Sequence, residues 1–292
     1  MLDMTEFQLR LKEADYIAEK DLVSTLLLTT ELKRPLLLEG DAGVGKTEVA
    51  KALATIFDCP LIRLQCYEGL DVNSAVYEWN YQHQLLTIKL QETENTSATE
   101  KKEHIFSEEF LLKRPLLQAI TQSISPVLLI DEIDRADEEF EAFLLEVLSD
   151  FQISIPELGT IPAITIPHVI LTSNGTRELS DALRRRCLYH YVNYPGYEKE
   201  LQIVTQCIPD ISKDLAAQVV SCIQQLRKED LRKKPGVGET LDWVAALMKL
   251  DIKKLDDDPE LIMNTLVCLL KTKEDRNQIT EEVMERLVAN AC

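Results

Sequence analysis

Seven cysteines (Cys59, Cys66, Cys187, Cys207, Cys222, Cys268 and Cys292) are scattered through the 292 residues without a single C-x-x-C pair. Their number is odd and most sit in apolar stretches, where a thiol packs as a small hydrophobe. Neither a disulfide framework nor a thiolate metal site is expected. His83, His104, His168 and His190 lack metal-ligand spacing. No apolar run approaches the roughly 18 residues of a membrane span, and no basic stretch followed by an apolar core opens the chain. These absences imply a reduced, cytoplasmic protein with no membrane partner, in which the sequons at Asn95 and Asn174 carry no meaning. Positive charge is also short. Against 50 Asp and Glu stand 32 Lys and Arg, a formal net charge of −18, and the acid is spread along the chain. Such a field repels phosphate backbones and argues against nucleic acid as the main partner. The basic clusters are local: Arg184–Arg186, Arg227–Lys228 and Arg232–Lys234. The last two read as solvated helix faces or ends.

The chain is long enough for two modest domains with real cores. Up to about residue 190, short apolar runs alternate with helical patterns, the mark of an α/β fold with a parallel sheet between helices. Candidate strands are Leu36–Leu38, Leu61–Gln65, Val127–Ile130, Val169–Thr172 and Tyr189–Val192. Most are nearly continuous in apolar residues, as strands covered on both faces are. Asn193–Gly196 is turn chemistry and reads as a boundary. Beyond it only helical periodicity is found: Leu215, Val219, Ile223 and Leu226 share one face, as do Leu241, Val244, Ala245 and Met248. The expected division is an αβα core over residues 1–194, with an insert at about 70–120 and a hairpin at about 151–166, followed by an all-helical domain over 195–292. The polar stretch Glu92–Glu103 reads as a surface loop.

The run Leu36–Leu38 leads into Gly40-Asp41-Ala42-Gly43-Val44-Gly45-Lys46-Thr47, a complete G-x-x-x-x-G-K-T. Glycines let backbone N–H groups turn inward around phosphate oxygens, and the helix expected from Thr47 to about Phe57 presents its positive end to the same anion. Lys46 is expected to reach the β- and γ-phosphates and the Thr47 hydroxyl to bind magnesium.

A second apolar run, Val127–Ile130, ends in Asp131 and Glu132. A parallel strand delivers its last residues to the ligand crevice of an open sheet, so Asp131 is placed on the magnesium and Glu132 on the attacking water. Asp134, Asp137, Glu138 and Glu139 read as helix-start and solvent-face acids, while Phe140, Phe143, Leu144, Val147 and Leu148 form a core stripe. A third run, Val169–Ser173, ends in Asn174, which either bonds the attacking water or γ-phosphate or, with Gly175, simply makes a turn. The arginines of Asp181–Cys187 are either a helix end favoured by the dipole or a finger reaching ATP on a neighbouring subunit, with Arg186 the first choice and Arg185 the second.

With these motifs in place the chain resembles AAA+ ATPases over most of its length, with the phosphate loop as Walker A, Asp131-Glu132 as Walker B, Asn174 as sensor 1 and the arginine run as the finger. Among them it is similar to the MoxR family, and more narrowly to a CoxD-like branch through Tyr67–Asn80, Phe110–Ile120, Phe140–Gly159 and Pro235–Trp243. That resemblance implies an AAA+ core with five parallel strands and a helical lid. It also implies ATP and Mg2+ as ligands, a ring expected to be a hexamer, and a partner carrying a von Willebrand factor A domain. The implied client is a metalloenzyme under assembly, of the molybdenum hydroxylase or carbon monoxide dehydrogenase kind. It further implies an inserted strand or hairpin, for which Leu85–Leu90 is the candidate, and a hairpin from Phe151–Ile155 and Ile164–Ile166 around Pro156–Thr160. The lid helix of such relatives often opens on a sensor 2 arginine; Gly236–Thr240 contains none, and no residue is assigned to that role. The competing readings are a P-loop kinase, which leaves the arginine run and helical lid unexplained, and a nucleic-acid-linked or restriction-type NTPase, which the net charge disfavours.

Overall fold

The computed structural model describes residues 3–90 and 104–291. Its strands are β1 (Leu36–Glu39), β2 (Leu61–Gln65), β3 (Tyr77–Trp79), β4 (Leu111–Lys113), β5 (Val127–Asp131), β6 (Gln152–Ile155), β7 (Gly159–Pro162), β8 (His168–Ser173) and β9 (Leu188–Tyr191). Five of them form one parallel sheet in the order β2-β5-β8-β1-β9.

Period-2 alternation sends successive leucines to opposite faces. Leu37, Leu128, Ile130, Val169 and Leu171 pack with Leu116, Ile120 and the stripe Phe140, Leu144, Val147 and Leu148 on one side. Leu36, Leu38, Val127, Leu129 and Ile170 pack with Phe7, Leu26 and Leu53 on the other. Both faces are covered, so the central strands read as unbroken apolar runs; each leucine buried this way contributes about 1.5–3 kcal/mol. The edge strand β2 alternates between exposed and buried instead.

Two insert expectations are corrected. Leu85–Leu90 is not a strand: it belongs to the helix Tyr81–Leu90, whose start is held by Asn80 accepting from the His83 N–H at 3.1 Å. The inserted hairpin is β3 with β4, antiparallel, with Tyr77 opposite Lys113. In the second hairpin β6 pairs with β7, Ile155 opposite Gly159, so the return strand precedes Ile164–Ile166. The turn closes early because Gly159 takes a φ of 79°, ending a three-residue loop. The stretch Glu92–Glu103 lies outside the described residues.

After β9 the described chain is helical: Tyr197–Cys207, Lys213–Leu226, Val237–Lys249, Pro259–Thr265, Lys273–Gln278 and Glu281–Ala289. Leu215, Val219, Ile223 and Leu226 are all buried there. In Val237–Lys249 the buried face is Thr240, Trp243, Val244 and Leu247, rotated from the one expected, and Ala245 is exposed. The rotation follows Trp243, whose ring is fully buried and whose Nε1 donates to Thr265 Oγ1 at 2.8 Å. Among the described residues no helix is long and apolar enough to cross a membrane.

Candidate active site

Because β8 lies between β5 and β1, the carboxyl ends of three strands that are distant in sequence open side by side, which is where open α/β sheets place ligands. From β1 the chain enters the loop of residues 40–45 and then the helix Lys46–Ile56. Gly45, with φ 94°, is the N-cap, a conformation that an L side chain resists. The Lys46 side chain folds back into the loop: Nζ donates to the carbonyls of Gly40 and Asp41, each at 2.7 Å, and to Asn174 Oδ1 at 2.9 Å. Burial pushes its ammonium below the usual lysine range, against the pull of Asp134, Asp41, Asp131 and Glu132.

Asp131 closes β5 and is buried. Its Oδ1 accepts from the Thr47 hydroxyl at 3.3 Å and the Thr172 hydroxyl at 2.5 Å, and its Oδ2 from Arg63 Nη2 at 2.5 Å. Glu132 sits in the left-handed region, φ 55°. Its N–H donates to Thr172 Oγ1 at 2.9 Å, while its carboxylate accepts from Gln65 Nε2 at 3.2 Å and forms an ion pair with Arg135, Nε at 3.0 Å. One hydroxyl on β8 therefore holds both acids, giving a hydrogen bond to one and taking one from the other. A carboxylate facing a hydroxyl is a set of hard oxygen donors. Among the described residues no group of three or more His, Cys, Asp or Glu could hold a metal unaided. Such a sparse set fits magnesium, which keeps waters and takes phosphate oxygens as further ligands.

Asp134 is not the solvent-face acid expected. It is buried and accepts from the Asn174 N–H, the Thr176 N–H at 3.0 Å and the Thr176 hydroxyl at 2.6 Å. Burial alone would raise its carboxyl; the hydrogen bonds from Thr176 and Asn174 together outweigh that and hold it below the usual range. These bonds fix the loop after β8 so that the Asn174 amide faces Lys46. Asp137, by contrast, is the expected helix start, accepting from the Phe140 N–H at 2.9 Å.

Lys46, Thr47, Arg63, Asp131, Glu132, Thr172 and Asn174 line a cleft of about 580 Å³, together with Tyr16, Ile17, Ile203 and Leu241. The last four were not legible from motifs, because they come from stretches far apart in the chain. A second cavity of about 610 Å³, among the C-terminal helices around Leu255, Ile262 and Met284, contains none of the groups above.

The three arginines lie on the helix Asp181–Arg186 and none lines the cleft. Arg184 pairs with Glu39 at 3.1 Å and Arg185 with Asp181 at 2.8 Å. Arg186 donates to Ser149 Oγ and to the Ala182 carbonyl. Arg34 donates to the Arg185 carbonyl at 2.7 Å and so covers the helix end.

Arg227 is not solvated either. It is buried and forks onto Glu200 with contacts of 2.6 and 2.7 Å, while its Nε donates to the Pro235 carbonyl at 2.8 Å. Thr240, in the stretch without an arginine, also donates to Glu200, at 2.9 Å. The network holds Pro235–Thr240 against the phosphate loop, where the Val237 N–H donates to the Gly43 carbonyl at 2.9 Å. Arg232–Lys234 line a separate cleft behind Asp41. Sequence reasoning missed Arg63, Gln65, Thr172 and Asp134. The one available signal was two polar residues, Arg63 and Gln65, on the exposed positions of an otherwise apolar strand.

Residues 35–187, just over half of the chain, match the family described as AAA domain (dynein-related subfamily). Among curated proteins the chain is similar to an uncharacterized protein of Staphylococcus aureus (strain bovine RF122 / ET3-1), 28% identical over 262 residues. It is likewise similar to one of strain NCTC 8325 / PS 47, 27% identical over 262 residues; each alignment covers 87% of this chain and 90% of the relative. A crystal structure from Cytophaga hutchinsonii ATCC 33406 is similar at TM-score 0.47 and 14% identity, covering 98% of this chain and 96% of its own.

Proposed function

Given that the chain belongs to the AAA domain (dynein-related subfamily) family and is an ATPase, releasing ADP and phosphate, we propose that it is a remodelling chaperone of the MoxR type. The observation that carries the site reading is the convergence in one cleft of the Lys46 ammonium, the Thr47–Asp131 pair and Asn174. In this reading the loop Gly40–Thr47 and Lys46 hold the β- and γ-phosphates. Thr47 and Asp131 hold magnesium, which supplies neutralisation of phosphate charge. Glu132 takes a proton from the water whose oxygen bonds to the γ-phosphorus, as the bond to the β–γ bridging oxygen breaks and ADP departs. Asn174 orients that water. Arg186, or failing it Arg185, completes the site of a neighbouring subunit.

The division at residues 194 and 195 belongs to the same proposal, with the helical part acting as a lid. Contact between Gly43 and Val237 supports it, because a change at the phosphates has a direct path into the lid helix. Members of the family commonly assemble as rings, and a hexamer is the proposed state. By the CoxD-like resemblance, the client is a molybdenum-containing hydroxylase during metal-site maturation, with a von Willebrand factor A domain protein as partner. A cytoplasmic location accords with the free thiols of Cys59, Cys66, Cys187, Cys207 and Cys268.

Two variants test the reading. Lys46→Ala is expected to abolish tight ATP binding, and an affinity within a few-fold of wild type refutes the cradle. Glu132→Gln is expected to bind ATP without turning it over. Held in that state, the protein should retain its client and partner from the native source, to be identified by mass spectrometry. Recovery of neither a metalloenzyme nor a von Willebrand factor A domain protein refutes the assigned role.

A further inference from the structure

Strand β2 contributes no residue to the phosphate loop or to the acid pair, yet its Arg63 reaches the centre of the site. Asp131 is almost fully enclosed, with 5% of its side chain exposed, whereas Arg63 stands on the outer edge strand with 53% exposed. A carboxylate enclosed to that degree needs a partner of opposite charge or a full set of hydrogen bonds. Both of its oxygens are engaged: two hydroxyls on Oδ1, and the guanidinium on Oδ2 at 2.5 Å. Among the described residues Arg63 is the one cation paired with Asp131. Gln65 Oε1 accepts from the same Nη2 at 2.6 Å, so the arginine is aimed at the acid from its own strand. Arg63 also lines the cleft itself.

We propose that Arg63 and magnesium are alternative partners of Asp131, so that the arginine sets how much metal the site requires. The inference rests on the nucleotide reading of the cleft given above. A guanidinium on Oδ2 takes the lone pairs and cancels the charge that a small hard cation would use. Metal binding therefore has to displace it or bind a neutralised carboxylate. The same guanidinium offsets the negative charge of Asp131 and Glu132 toward a phosphate chain that arrives without metal. Removing it then has two opposite effects: magnesium binds more tightly, and metal-free nucleotide binds more weakly. A merely structural role would weaken both.

The test uses the full chain, a fluorescent ATP analogue and magnesium titrated from an EDTA-treated start, with Arg63→Met and Arg63→Lys beside wild type. For Arg63→Met the magnesium midpoint should fall about fivefold, the scale of a half-exposed ion pair, while affinity in EDTA falls. Arg63→Lys, which keeps the charge but not the planar fork, should move both in the same directions by less. Thermal unfolding checks that the variants fold; if Arg63→Met does not, the Arg63→Lys shift decides. An unchanged or raised midpoint, with nucleotide still bound, overturns the role of Arg63 and leaves the site reading standing. Failure of wild type to bind the analogue with or without magnesium overturns the site reading, and the proposal with it.

Discussion

Gly236 lies so near Gly43 that a Cβ placed on it would come within 2.7 Å of the Gly43 Cα. Across the same contact Val237 N–H donates to the Gly43 carbonyl at 2.9 Å. The phosphate loop and the start of the helix Val237–Lys249 thus touch backbone to backbone. Gly236→Ala should force them apart, costing about 1–3 kcal/mol of stability by overpacking and weakening nucleotide binding. Gly238→Ala, whose added Cβ meets nothing within 4 Å, is the control for overpacking and should leave stability unchanged or slightly improved. Urea unfolding and nucleotide titration of the two variants decide it; equal behaviour would mean that the contact is slack.

Thr172 bridges Asp131 and the Glu132 N–H through one hydroxyl. Thr172→Val keeps the shape but leaves the half-buried Glu132 N–H and the buried Asp131 carboxylate without this partner, a loss of about 1–3 kcal/mol. Steady-state kinetics should show kcat falling far more than ATP affinity, and Thr172→Ser should recover most of it. Full turnover in the valine variant would remove Thr172 from the machinery.

Asp134 holds the loop after β8, and its carboxyl titrates below the ordinary 3.8. A carboxyl depressed in the folded state stabilises the protein fully above its unfolded value, and that contribution fades as pH falls through the folded one. Wild type should therefore exceed Asp134→Asn in urea midpoint near neutrality, with the gap closing as the solution is acidified through the carboxylate range. A gap that does not change with pH would assign the effect to hydrogen-bond geometry alone.

The arginine run offers a test of the proposed ring. Arginine fingers contribute roughly 10³–10⁵-fold in rate, so Arg186→Ala should nearly silence hydrolysis and spare ATP binding. Mixed with Glu132→Gln, also inactive alone, it should regain part of the activity, because some interfaces would pair an intact Glu132 with an intact Arg186. No recovery, with subunit exchange demonstrated separately, counts against a finger in trans. Loss in Arg185→Ala instead would move the finger by one residue.

What the sequence by itself determined is the local part. The apolar runs at Leu36–Leu38, Val127–Ile130 and Val169–Thr172 are strands, because burial on both faces leaves a continuous apolar record that needs no knowledge of neighbours. The Gly40–Thr47 loop was legible for a similar reason: its glycines and lysine are consecutive and carry their own backbone geometry. Tertiary structure alone decided which strand lies beside which, and so which polar residues meet. Arg227 looks solvated beside Lys228 until the fold brings up Glu200, and Asp134 looks like a surface acid until the end of β8 closes over it. Leu85–Leu90 misled in the opposite way, since a short apolar run has the same composition in a strand and in a helix; there the hydrogen bonds that Asn80 accepts from the His83 and Gln84 N–H groups mark the helix start. Charge and hydropathy say what a residue is, whereas its partner depends on contacts far away in the chain, and only the packed sheet and helices supply those.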